Sequence, residues 1–150
     1  MKIMLDGPDA ILPTRAHDQD AGLDLYSREE KIIGGISREY IDNYDPLENY
    51  AVFDTGVHIE LPPGTFGQLF SKSGLNVNYN IVSCGGTIDE GYTGSIHVKL
   101  YNLGKKPYMI RKGQKICQLV IMPCLKPDLE IVEKLEDTER GTGGFGSTGM

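Results

Sequence analysis

Along much of the chain, apolar residues recur at every second position. In VHIELP, Val57, Ile59 and Leu61 fall on one side and His58 and Glu60 on the other; SIHVKLYN repeats the pattern with Ile96, Val98 and Leu100. That alternation marks a strand with one buried face. KICQLVIM differs: Cys117, Leu119 and Ile121 share one face while Ile116 and Val120 lie on the other, so both faces are expected to be covered. Turn residues separate these segments, at PPG (62–64), NLGKKP (102–107) and RKGQ (111–114). Short strands with regular glycine-rich breaks predict an all-β barrel or jelly roll. No long stretch carries helical periodicity, and no internal repeat is visible. The run SREEKIIGGISREYIDNYDPLENY (27–50) fits a short helix, a hairpin or a mobile loop.

Composition narrows the picture. A chain of 150 residues is expected to form one domain. No apolar run reaches the ~18 residues of a membrane span. The opening MKIMLDGPDAILPTR has no sustained apolar core, so no signal peptide is expected. Cys84, Cys117 and Cys124 are an odd, widely spaced set, which fits reduced thiols in a cytosol. Their default is small core residues. The formal charge of −6 argues against a broad nucleic-acid footprint. A small anionic ligand stays possible, because a few local cations or a metal can hold one.

Polar, glycine-rich stretches interrupt the strands. In the tail RGTGGFGSTGM (140–150), Arg140 offers a planar fork for phosphate, the glycines expose backbone N–H groups, and Ser147 and Thr148 add hydroxyls. Phe145 lacks an obvious core partner and could lie on a nucleobase. On composition alone, a disordered C-terminus is the plainer reading. No GxxxxGK[ST] is present, which excludes a Walker-type loop. SKSG sets Lys72 and Ser73 beside Gly74, a phosphate grip or simply a surface turn. In GGTIDEGYTG, Asp89 follows Ile88 and could orient and deprotonate a water, while Tyr92 could pack flat on a sugar. A hairpin with a solvated Asp fits equally well. Asp24 in AGLDL is an isolated carboxylate that holds a metal through water or serves as a hydrogen-bonded structural residue. Gln118 needs a hydrogen-bond partner within its covered strand. His17, His58 and His97 lack zinc-ligand spacing, and surface positions are their default.

The order of these stretches is more specific than any one of them. AGLDL, SKSG, GGTIDEGYTG, KGQKICQL and RGTGGFGSTG closely resemble the five motifs of the trimeric deoxyuridine triphosphatase (dUTPase) family. The resemblance runs from LPTRA (12–16) to Gly149. It implies a jelly-roll-like, distorted β-barrel of one domain over 1–150, with 28–50 an atypical insertion and 139–150 a flexible glycine-rich arm. It also implies a cytoplasmic homotrimer with shared active sites and no nucleic-acid or membrane partner. The implied reaction is hydrolysis of dUTP to dUMP and pyrophosphate by water attacking the α-phosphorus, with Mg²⁺ as cofactor.

Residue by residue, the resemblance makes Asp89 the general base. Tyr92 would stack beneath the deoxyribose and leave no room for a 2′-hydroxyl. The backbone around Ser83, Gly86, Thr87 and Ile88 would read uracil. Lys72, Ser73 and Gly74 would meet phosphates, with Gln118 assisting. Arg140 would reach the terminal phosphate, Phe145 would cover the base, and Gly146, Ser147 and Thr148 would close over the phosphate chain. Asp24 would belong to the hydration shell of Mg²⁺. Two departures stand out. Ser71-Lys72-Ser73-Gly74 replaces the usual Pro-Arg-Ser-Gly, keeping the charge but losing the bidentate fork. Gly91 takes the place of an acidic residue before the tyrosine. The related dCTP deaminase places a glutamate where Lys99 stands here, and a non-catalytic nucleotide-binding protein of this fold would lack Asp89 in its motif.

Overall fold

The computed structural model describes residues 1–36 and 47–143. Strands dominate: β1 (Lys2–Leu5), β2 (Leu23–Tyr26), β3 (Lys31–Ile33), β4 (Tyr50–Asp54), β5 (Val57–Glu60) and β6 (Thr65–Ser71) precede the short helix α1 (Ser73–Tyr79). Five more follow: β7 (Ile81–Ser83), β8 (Thr87–Ile88), β9 (His97–Asn102), β10 (Tyr108–Ile110) and β11 (Lys115–Pro123). They form a four-stranded sheet β2-β11-β6-β8, a three-stranded sheet β4-β9-β7, and the pairs β1-β5 and β10-β3. Every pairing among these strands is antiparallel. The all-β, jelly-roll-like expectation holds, but the sheets stay separate and do not close into a barrel. No described helix is long and apolar enough to cross a membrane.

The period-two faces point where their spacing predicts. Val57 and Ile59 of β5 are buried, as are Val98 and Leu100 of β9. They join Leu25, Ile33, Phe53, Ile110, Ile116 and Leu119 in one apolar cluster. β11 lies between β2 and β6, so its backbone is paired on both edges. A register shift between Lys115 and Cys117 lets both Ile116 and Cys117 point inward. The three turns also lie where the sequence marks them. Thr65 N–H donates to Pro62 O, Gln114 N–H donates to Arg111 O, and Gly64 and Gly113 hold the positive φ these turns need.

Two elements were not predicted. α1 begins inside SKSG, and Leu75 is its only buried residue, so no helical stripe was there to read. Asn80 ends it in the left-handed conformation at φ 57°. β3 pairs with β10 and buries Ile33, so the start of the 28–50 segment contributes to the core. The Gly34-Gly35 pair is required there: a Cβ on Gly34 would sit 2.1 Å from Leu47 O, and one on Gly35 2.4 Å from Lys105 O. Residues 37–46 lie outside the described residues.

Asn102 fastens this region to β9. Fully buried, its amide donates to Ile33 O at 3.2 Å and Lys106 O at 2.8 Å and accepts from Gly104 N–H at 2.8 Å. Asn102→Ala strips partners from these backbone groups and is expected to cost about 2–3 kcal/mol. A urea-unfolding midpoint equal to that of the unmodified protein would contradict this.

Candidate active site

The segment from β7 to β8 is laid along β6 by a series of hydrogen bonds. Ser83 N–H donates to Ser71 Oγ at 2.9 Å, and Leu69 N–H donates to Gly86 O at 3.2 Å. Thr87 then pairs with Gln68, and Ile88 with Gly67. Gly86 has φ 140°, and a Cβ there would lie 3.0 Å from Leu69 Cδ1, so a side chain would push the hairpin off the strand. Beyond β8 the chain turns sharply, with Tyr92 N–H donating to Asp89 O at 3.0 Å. The result is a cavity of about 200 Å³ lined by Gly86, Thr87, Ile88, Asp89 and Tyr92, with Leu69, Ile96 and His97 completing the wall. Ile88 and Ile96 are buried; Asp89 and Tyr92 stand exposed at the rim.

A second group lies around Asp24. Its carboxylate is only 1% exposed. Lys72 Nζ donates to Oδ1 at 2.7 Å, and Lys115 Nζ lies 2.7 Å from Oδ2. That second contact is a charge pairing without hydrogen-bond alignment. Burial pushes the carboxyl's pKa up, but Lys115 and then Lys72 outweigh it and hold it below the usual value. Gln118 sits directly across from Asp24 in the β11–β2 ladder. Its side chain crosses Gly22 so closely that a Cβ there would lie 3.1 Å from Gln118 Cβ. Ser73 and Gly74 follow Lys72 into the first turn of α1, where helical N–H groups have no partner within the helix.

The structure thus gathers Gly86, Thr87, Ile88, Asp89 and Tyr92 in one place and Asp24, Lys72, Ser73, Gly74 and Gln118 in another, with Ser83 on the side of the second group, its Oγ 3.2 Å from that of Ser71. Within one chain these places are separate. β8 and β2 are opposite edges of the four-stranded sheet. Ile88 is level with Gly67, so Asp89 is level with Phe66, whereas Asp24 is level with Gln118 and Phe70. Three strand spacings across and four residues along put the two carboxylates roughly 19 Å apart on a flat sheet.

Other expectations shift. Arg140 is exposed and its Nε donates to Gly143 O at 3.1 Å, while Phe145, Gly146, Ser147 and Thr148 lie outside the described residues. Of the cysteines only Cys117 is a core residue, its thiol pushed up to about 11 by burial; Cys84 is exposed and Cys124 half-buried. His17 and His97 are at the surface as expected, but His58 is half-buried against Asp6. Lys99 lies over the Tyr50 ring at 4.1 Å from its centroid. Sequence spacing gave no sign of Lys115's part in the charged cluster, although it lies within the fourth motif; its strand position opposite Tyr26 is a property of the fold.

Asp24 does not offer itself as a direct metal ligand, since both oxygens already face ammonium groups. Among the described residues no three His, Cys, Asp or Glu side chains gather as a metal cage. Asp24 thus fits a hard cation only through water, not by direct ligation.

Comparison with known proteins bears on the whole chain. A sequence model of the family described as dUTPase matches residues 8–149. The deoxyuridine 5'-triphosphate nucleotidohydrolase of Clostridium kluyveri is 47% identical, covering 94% of this chain and 92% of its own length. That of Clostridium acetobutylicum is 44% identical, covering 100% and 97%. Among solved structures, a mutant dUTPase of Staphylococcus bacteriophage 80alpha with dUpNHpp aligns at TM-score 0.83 and 31% identity, covering 99% of this chain and 98% of that one. A mutant dUTPase from phage phi11 of S. aureus, described as revealing coordination of a structural Mg(II) ion, aligns at TM-score 0.75 and 27% identity, covering 89% and 96%.

The lowered pKa of Asp24 has a measurable consequence. A carboxylate whose folded pKa is depressed adds stability above its unfolded pKa, near 3.9, and that stability is lost as pH falls through the folded value. The double substitution Lys72→Met, Lys115→Met removes the cause. It is expected to lower the urea midpoint clearly at pH 7 and much less at pH 3.5, where Asp24 can be protonated. An equal loss at both pH values would show that the lysines act by packing and not by charge.

Proposed function

The chain belongs to the dUTPase family, and from that premise we propose that it hydrolyses dUTP to dUMP and pyrophosphate, with Asp89 as the base that activates water. The observation that carries this reading is the placing of one exposed carboxylate at the rim of a small cavity that is lined by the buried Ile88 and Ile96 and by the Gly86–Thr87 segment. Uracil suits the 83–88 hairpin: fixed backbone donors and acceptors read its edge, and a tight wall excludes the thymine methyl. Tyr92 lies beneath the sugar and leaves no room for a 2′-hydroxyl. With the nucleoside so held, Asp89 takes a proton from water as its oxygen attacks the α-phosphorus; the bond to the bridging oxygen breaks and pyrophosphate leaves. A Mg²⁺ ion, when bound, would supply positive charge against the negative charge that develops. Lys72, Ser73, Gly74 and Gln118 bind the phosphate chain, Asp24 would be the carboxylate available to accept from water around the metal, and Arg140, Phe145, Gly146, Ser147 and Thr148 close over the substrate. The product serves thymidylate synthesis, and the three free cysteines fit a reducing cytoplasm.

We assign the working form to a homotrimer with shared sites. The separation of Asp89 from the Asp24–Lys72 group supports this, because one substrate cannot readily meet both groups of a single chain. Beyond β11 the chain also carries unburied apolar residues, with Leu125 92%, Leu129 95% and Ile131 100% exposed. Such residues call for a covering surface, and a neighbouring copy provides one.

Incubation with dUTP, dCTP, dTTP or UTP in Mg²⁺ is expected to release pyrophosphate from dUTP alone and ammonia from none. Ammonia from dCTP would replace this reading with a deaminase. Asp89→Asn should lower kcat by about 10²–10⁴-fold while dUTP still binds; near-normal turnover would remove Asp89 as base. Deleting 140–150 should abolish most activity without moving the unfolding midpoint, and a fully active truncated protein would make the arm dispensable.

A further inference from the structure

The Tyr92 ring rests on a segment anchored from behind by a charged cluster that the proposed chemistry does not use. Tyr92 OH donates to Ser95 O at 2.9 Å, and a Cβ on Gly94 would lie 2.4 Å from that hydroxyl, so the ring lies flat against Gly94. The segment beneath is held at three points. His58 Nδ1 lies 2.8 Å from Thr93 O. Ser95 Oγ donates to Asp54 Oδ1. Ile96 is fixed through its backbone, with N–H to Val57 O at 2.9 Å and O accepting from Thr55 Oγ1 at 2.7 Å.

The two side-chain anchors are themselves joined. His58 Nε2 lies 3.0 Å from Asp6 Oδ2, a charge pairing without hydrogen-bond alignment. Arg28 bridges the acids, with Nη1 at 3.5 Å from Asp54 Oδ2 and 4.0 Å from Asp6 Oδ2, while Asp9 binds its Nη2 at 3.2 Å. Gly56 exists to admit that guanidinium, since a Cβ there would lie 2.5 Å from Nη1. Contact with Asp6, then with the Thr93 carbonyl, raises the imidazole's pKa and favours the doubly protonated ring, the form that donates on both sides. A solvated loop tip needs none of this. A tip whose ring must sit against a sugar to within a fraction of an ångström does.

We infer that His58 and Asp54 are positioning residues for substrate selection: by pinning Thr93 and Ser95 they hold Tyr92 at the height that admits a deoxyribonucleoside triphosphate and rejects its ribo counterpart. The inference rests on the reading of Tyr92 given above. Neither residue touches substrate, so their loss acts on discrimination more than on the chemical step.

The test compares kcat/KM for dUTP with that for UTP in His58→Leu, which keeps the volume but removes both nitrogens, and in Ser95→Ala, which removes only a hydroxyl. Each is expected to lower the dUTP/UTP ratio at least tenfold, chiefly through better use of UTP. His58→Asn, whose amide nitrogen takes the place of Nδ1, should restore most of the ratio. Ser95→Ala keeps the test decisive if His58→Leu does not fold. Tyr92→Ala is run beside them. Should it lower the ratio while His58→Leu and Ser95→Ala change only the melting temperature, the cluster is structural and the inference fails alone. Should Tyr92→Ala leave the ratio intact, the reading of Tyr92 fails and takes this inference with it.

Discussion

The nine-residue ladder of β11 is the constraint on which the site depends. Hydrogen-bonded on one edge to β2 and on the other to β6, it fixes the level of every residue on its neighbours. Gln118 is thereby set opposite Asp24, and Ser71 opposite Cys117, which leaves Lys72 one step beyond the strand and within reach of Asp24. β6 passes the same register on to the β7–β8 hairpin. A slip of one residue would turn Asp24 and Gln118 to the opposite face and put Leu25 and Leu119 out of the core. Burial of those leucines therefore also holds the polar groups in place.

Charge follows from this geometry. The chain carries a formal −6, and dUTP is itself strongly anionic. Asp24 resolves part of that conflict by concentrating two cations on one buried anion, which leaves a local surplus of one positive charge in an acidic protein. Because the carboxylate is buried and the lysines are partly solvated, the pair of ammonium groups is anchored on Asp24 while still reaching solvent. Lysine in place of arginine at residue 72 keeps the charge beside Asp24 without the bidentate fork.

How much of this the sequence reveals depends on what kind of physics is involved. Alternation records burial, so β5, β9 and the core faces were readable, and the glycine turns declared themselves by their backbone needs. α1 was not readable because one buried leucine makes no stripe. β3 was hidden because its glycines serve close approach to Leu47 and Lys105, which are distant in sequence. His58 looked like a surface residue of an alternating strand, and its partner Asp6 lies on the far side of a strand pairing. The candidate site was legible mainly as an ordered set of motifs; no spacing rule predicts that Asp24 and Asp89 of one chain stand at opposite edges of a sheet.

That separation and the anchoring of the Asp89–Ile96 turn belong to one design problem. In the homotrimer proposed above, a site assembled from parts on different chains would find its precision within each part, because no single backbone spans it. The nucleoside part is accordingly rigid: Gly86 presses on Leu69, the hairpin is bonded along β6, and the Tyr92 turn is tied to β5 and to the end of β4 by side chains remote from any ligand. The phosphate part can be looser, since charge acts over distance and flexible lysines adapt to a polyphosphate. On that proposal, base and sugar selection falls to the β8 segment bonded along β6 and its turn, and charge compensation to the lysines around Asp24.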